Sequence, residues 1–232
     1  DLFEALKDED CVVFAHIGGR YADITIAHDD RLERAVEVHS AWGTFEWLIN
    51  DAFEQGYQVG IVSNSDGHKG RPGASHPGAT KFGSYGGLTC VLASEFTRAG
   101  LMDAMKKRHH YGTTGSRVAL DVRARFDTPA ERFSDDPRLG DVTSERVGKA
   151  MMGDILRSGD DEVTFHLDIR GASPVERTDI RNGLETVDVF RPYAESDLGR
   201  RISVVWEGSE YRGRGRETVW DGHAELTGNA FE

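Results

Sequence analysis

The residues best equipped for chemistry in this 232-residue chain sit where apolar runs end. Ser63-Asn64-Ser65-Asp66-Gly67-His68 follows the apolar run Val59-Gly60-Ile61-Val62 directly. Asp66 and His68 are two apart, so in an extended segment their side chains share a face. A carboxylate and an imidazole projecting together make half of a site for zinc, manganese or iron, which accept mixed O and N ligands. The bland alternative is a turn in which Asp66 caps backbone amides. His16 closes the run Cys11 to Ala15, and Glu37 and His39 lie in or just after Val36-Glu37-Val38. Three strand termini with His, Asp or Glu at one end of a sheet form a constellation, which a lone satisfied core histidine explains less well. Glu37 is then a ligand, a partner orienting an imidazole or a surface carboxylate. His39 shares its face only if the strand continues through Val38.

The stretch from Gly67 to Gly87 holds seven of the 27 glycines, with Lys69, Arg71, His76 and Lys81. Glycine lets backbone approach a ligand, and the basic residues form a local positive patch in an acidic protein. Lys69 and Arg71 are candidates for holding a small anionic substrate, phosphoryl or carboxyl; a long mobile loop is the alternative. No Walker loop, dinucleotide fingerprint or nucleophile elbow is present, and Ser63 and Ser65 lack clear His-Asp partners.

These residues need positioning elements. Up to about residue 115, strand-length apolar runs alternate with helical patterns. Leu48, Ile49, Ala52 and Phe53 give helical spacing between Phe45 and Gly56, and a second helix spans Thr97 to Arg108 with Lys106, Lys107 and Arg108 at its negative end. Such alternation predicts an α/β parallel sheet or barrel. From Ser116 onward strand patterns dominate: Val118 to Phe126, Val163 to Ile169 and Ile202 to Trp206, with Asn182-Gly183 as a hairpin signal. The expected organisation is an α/β part at 1–115 and a β-rich appendage at 116–232, the latter a small antiparallel β-sandwich-like domain. The polar stretch 127–149 reads as a surface loop or insertion. Tyr211 to Arg216 reads as a hairpin tip, and Cys11 and Cys90 as two buried thiols rather than a disulfide.

Composition bounds the function. Lys and Arg number 28 against 40 Asp and Glu, a net charge of −12, and 38% of residues are hydrophobic. The acidic balance argues against nucleic acid as a main partner. No apolar run approaches the roughly 20 residues that a membrane helix needs, and no signal-peptide pattern opens the chain. Compartment is left open. The start at Asp1, directly in a helix-like stretch, suggests a fragment or processed product.

The segments Phe14-Ala15-His16, Glu37 to Glu46, Val62 to His68 and Tyr111 to Arg117 resemble the C-terminal half of a PHP-type (polymerase and histidinol phosphatase) metal-dependent hydrolase. The likeness is strongest to large uncharacterised bacterial proteins with a DUF3604 domain, whose β appendage Met152 to Ile155 and Ile180 to Gly183 also resemble. The resemblance implies a distorted (βα)7 barrel with two or three divalent metals at the C-terminal strand ends, activating water to hydrolyse phosphoesters. It makes His16 the late histidine ligand and Asp66 and His68 the closing Asp-x-His motif with catalytic duty. Glu37 matches no universal ligand of that family; Glu37 and His39 are expected as partners of the ligands or as further ligands. Family members open with a His-x-His motif, absent from the first 60 residues here. The N-terminal half of the same protein is thus an expected partner, and the site in this piece is expected to be incomplete. The competing expectation is a non-catalytic scaffold or binding module with a degenerate metal site.

Overall fold

The computed structural model describes residues 2–16, 22–68, 70, 85–200, 202, 204 and 219–228. After a short helix α1 (Leu2–Leu6), strand β1 (Val13–Ala15) pairs in parallel with β2 (Glu33–Ser40). β2 also pairs in parallel with β4 (Gly60–Ser63), and a two-residue strand β3 (Gly43–Thr44) folds back antiparallel on its end. Every residue of β2 is buried, as befits a central strand covered on both faces. Five of the eight are polar, so each needs a partner: Glu33 takes His28, Arg34 takes Asp135, Glu37 takes His16, His39 takes Thr44 and Ser40 takes Asp66. Helix α2 (Trp47–Glu54) lays Trp47, Leu48 and Ala52 against Ile24, Val36 and Phe45 to make the core. Its spacing follows the 3.6-residue period, which leaves Phe53 largely in solvent.

Beyond β4 the α/β expectation fails. β5 (Leu88–Val91) and β6 (His110–Thr113) form a separate antiparallel pair, although helix α3 (Arg98–Lys106) connects them. A right-handed crossover would have returned β6 parallel. Here the chain instead leaves α3 through a tight turn at Arg108 and runs back along β5. Among the described residues strands far outweigh helices and close no barrel, so the (βα)7 architecture is not what this chain adopts.

The second half contains β7 (Ala119–Phe133), which pairs antiparallel with β8 (Ser144–Met151), β9 (Ile155–Arg157) and β10 (Thr164–Arg170). Hairpin β11 (Thr178–Asn182) and β12 (Glu185–Phe190) turns through Gly183 at φ +58, where the Asn182-Gly183 pair predicts it. The stretch 127–149 is largely strand rather than loop. Its register with β8 shifts between Arg125 and Ala130, a bulge that takes in Pro129, which has no N–H to give a ladder. A sandwich would bury facing sides of two sheets. Instead Phe165, Leu167, Val187, Val189 and Phe190 remain exposed, so this half has no sandwich core among the described residues. The expected strand Ile202 to Trp206 and the tip Tyr211 to Arg216 lie mostly or wholly outside them. Cys11 and Cys90 are free and half-buried.

Candidate functional site

Because β1, β2 and β4 are parallel, their C-terminal ends share one edge of the sheet. Ala15 pairs with Val36 and Glu37 with Val62, so His16 emerges beside Glu37, and the segment after β4 passes close by. Glu37 is buried to 3% side-chain exposure and accepts at both oxygens. The His16 Nδ1–H donates to Oε2 at 2.6 Å, and Asn64 Nδ2 donates to Oε1 at 2.7 Å. With the ring proton on Nδ1, the His16 imidazole presents Nε2 toward Asp66 Oδ2 at 3.7 Å.

Asp66 is held in the left-handed region at φ +46, a conformation Asp tolerates at some cost and one that concentrates at functional sites. Ser40 Oγ donates to its Oδ2 at 3.4 Å. His68 Nδ1 donates to the Asp66 carbonyl at 2.9 Å and lies 3.5 Å from Oδ1, while its side chain is 61% exposed. His16, Glu37, Asp66 and His68 therefore stand at one sheet edge, linked pairwise.

His39 turns elsewhere. The β2–β4 register slips between Glu37 and His39, and this re-aims the imidazole. Its Nε2–H donates to the Tyr85 carbonyl at 2.8 Å and its Nδ1 accepts from the Thr44 hydroxyl at 2.7 Å, so neither nitrogen is left for an ion. Burial pushes its pKa down, against the opposing pull of the Tyr85 carbonyl and the Glu37 charge. Lys69 and Arg71 lie outside the described residues, as do His76 and Lys81. Asn64 and Ser40 belong to the cluster without having been singled out from sequence; the one signal for Asn64 is its place two residues before Asp66.

The pair spacing fits a shared cation. Two ligand atoms each about 2.1 Å from one ion stand about 3.4 Å apart at the tetrahedral angle, and the observed 3.7 Å requires only a slightly wider angle. The Glu37–His16 contact has the arrangement in which a carboxylate fixes a ligating imidazole. Among the described residues, no three His, Cys, Asp or Glu side chains gather as a complete metal cage.

Residues 63–173 match the family model described as a protein of unknown function (DUF3604), a span that includes Asp66 and His68 and leaves His16 and Glu37 outside. An uncharacterized protein of Chlamydia pneumoniae is 27% identical over 162 residues, covering 59% of this chain and 26% of the relative. The chain thus spans about a quarter of the length of that relative. No solved structure matches. What the chain shares with known proteins is the DUF3604 sequence pattern across its middle, from the end of β4 through β10.

Proposed function

We propose that the edge holding His16, Glu37, Asp66 and His68 is a divalent-metal site of a PHP-type hydrolase acting on a phosphoester or other small anionic substrate. The observation that carries this reading is the His16 geometry: Nδ1 is pinned by Glu37 while Nε2 faces Asp66 Oδ2 at 3.7 Å. His16, Asp66 and the exposed His68 would hold zinc, manganese or iron, and Glu37, fixed by Asn64, would keep the His16 ring in its ligating tautomer. Such an ion supplies Lewis-acid polarisation of a scissile oxygen and lowers the pKa of water to about 7. Ser40, 3.4 Å from Asp66 Oδ2, restrains one carboxylate oxygen and leaves Oδ1 toward His68.

A second reading is favoured by the lack of a complete three-residue cage among the described residues. In it the site is degenerate and the chain is a binding or scaffolding module. Elemental analysis after manganese or zinc loading, with turnover of a chromogenic phosphomonoester, separates the two. The hydrolase reading expects bound metal and metal-dependent turnover, both lost in the Asp66→Ala, His68→Ala double variant. Equal metal content in variant and parent overturns the metal site; bound metal without turnover of phosphoesters or carboxylic esters favours the scaffold.

A further inference from the structure

Strand β10 (Thr164–Arg170) ends its sheet on one side: it pairs with β7 and, among the described residues, with no other strand. An open edge of this kind offers a row of unpaired N–H and C=O groups to a second strand. Alternation along β10 sorts its side chains. Phe165, Leu167 and Ile169 share the face that carries Val122 and Ala124 across the ladder, and Thr164, His166, Asp168 and Arg170 share the other. On the apolar face Phe165 is 56% exposed and Leu167 43%, so this edge is not blunted in the way that isolated edges are.

Leu167 and Ile169 also form one wall of a cleft of about 810 Å³. Ile180 and Phe190 of the β11–β12 hairpin, with Val175 and Tyr193, form much of the rest, so the lining is mainly apolar. No residue of β7 lines it, which places the cleft toward the free edge of β10 rather than beneath the middle of the sheet.

β10 has seven residues with Leu167 at their middle, and the strand is complementary to itself when a second copy runs antiparallel. A two-fold axis at Leu167 sets Phe165 opposite Ile169, His166 opposite Asp168 and Thr164 opposite Arg170 of the other copy. Apolar side chains then meet apolar side chains, and an imidazole N–H meets a carboxylate. Asp168 already accepts from Arg170 of its own strand at 2.6 Å, and its oxygens keep lone pairs for a second donor. Neighbouring registers are poorer. Centring on Asp168 sets that carboxylate against its own copy and His166 against Arg170, while centring on His166 leaves Ile169 and Arg170 beyond the paired strand. Directly opposite side chains stand about 4.5–5.5 Å apart at Cβ. In the Leu167 register, Phe165 of each copy therefore reaches the cleft beside Ile169 of the other.

We propose that this edge is a homodimer interface: two copies join their β10 strands antiparallel about Leu167, and each seats its Phe165 in the apolar cleft of the other. The symmetry is closed, so the free edges are used up in the pair and not propagated into a fibre. A seven-residue strand pair with one ring on each side is a small interface, which sets the expected dissociation constant at about 1–100 μM. The dimer does not depend on the metal site proposed above.

Sedimentation velocity of the chain from about 1 μM to about 1 mM tests this. The mass is expected to rise from 25.7 kDa toward twice that value. Phe165→Asp and Leu167→Lys, both at exposed positions, are each expected to weaken the dimer by about tenfold or more. His166→Asp alone sets carboxylate against carboxylate and should weaken it similarly. Adding Asp168→His to that variant restores a donor opposite each acceptor and should return the affinity to within about threefold of the parent. A chain that stays monomeric to the top of the range overturns the proposal, and protection of the β10 amides from hydrogen exchange in that monomer would assign the edge to another part of the same chain. A dimer that survives both Phe165→Asp and Leu167→Lys uses a different surface and equally overturns it. Should either of those variants fail to fold, the charge exchange decides: no recovery in the double variant refutes the interface.

Discussion

Glu37 spends both carboxylate oxygens on its neighbours, Oε2 on His16 Nδ1 at 2.6 Å and Oε1 on Asn64 Nδ2 at 2.7 Å. The side chain sits at 3% exposure inside β2, so its orientation is fixed by these two contacts and the strand that carries it. Glu37→Gln keeps the size but can present an N–H to Nδ1, which favours the tautomer that no longer offers Nε2. The expected outcome is a loss of divalent-ion affinity of about 10–100-fold. Competition against a chelating dye reads it, and unchanged affinity would reduce Glu37 to a packing role.

The strand ends that carry His16 and Asp66 are legible in the sequence for a local reason. The runs Cys11 to Ala15 and Val59 to Val62 are apolar up to the residue where the sheet stops, and the side chain that follows is polar. His39 was harder. Alternation puts it on the face of Glu37, whereas the slip in register between them turns it toward Thr44 and Tyr85. Strand partners are not written in local periodicity either, so the antiparallel return of β6 onto β5 escapes a reading that expects crossovers. In 127–149 the charges occupy the exposed side of a long ribbon and Pro129 falls in its bulge, which together mask a strand. The run Lys106 to His110 suits a helix C-terminus, and nothing local reveals that Arg108 and His110 turn inward.

Acid should weaken the fold through two histidines before the carboxylates titrate. Burial lowers the pKa of His39, 5% exposed, and of His110, 4% exposed. Below the ordinary value of 6.5 the unfolded chain therefore binds more protons than the native one. Their contribution is complete above that pH and is lost as pH falls toward the depressed native values. Urea midpoints should drop between about pH 7 and pH 5, and a His39→Gln variant should show a shallower drop. A flat profile in the parent would contradict the burial of both rings.

Gly153, at φ +91, is the point where the β8–β9 turn crosses the end of α3. A Cβ on it would fall 2.4 Å from the Arg108 carbonyl oxygen and 2.5 Å from the carbonyl carbon, both backbone atoms that cannot swing aside. Gly153→Ala combines this clash with a left-handed φ, so a destabilisation of about 2 kcal/mol or more is expected. Denaturant titration measures it. The same substitution should also disturb the Arg108 side chain, because its Nε donates to the Gly153 carbonyl.

Arg125 and Lys149 face each other directly across β7 and β8, on the side that also carries Arg123 and His166. Neither has an ion pair among the described residues, whereas Arg123 is offset by Asp121. Like charges directly opposite in an antiparallel pair repel. Lys149→Glu converts that repulsion into attraction and should raise stability by about 0.2–1 kcal/mol at low salt. Lys149→Gln, which only removes the repulsion, should give a smaller gain. Because the pair is at the surface, both gains should shrink toward zero in high salt, where charges several ångströms apart are screened. A gain that persists in high salt would point to packing rather than charge as its source.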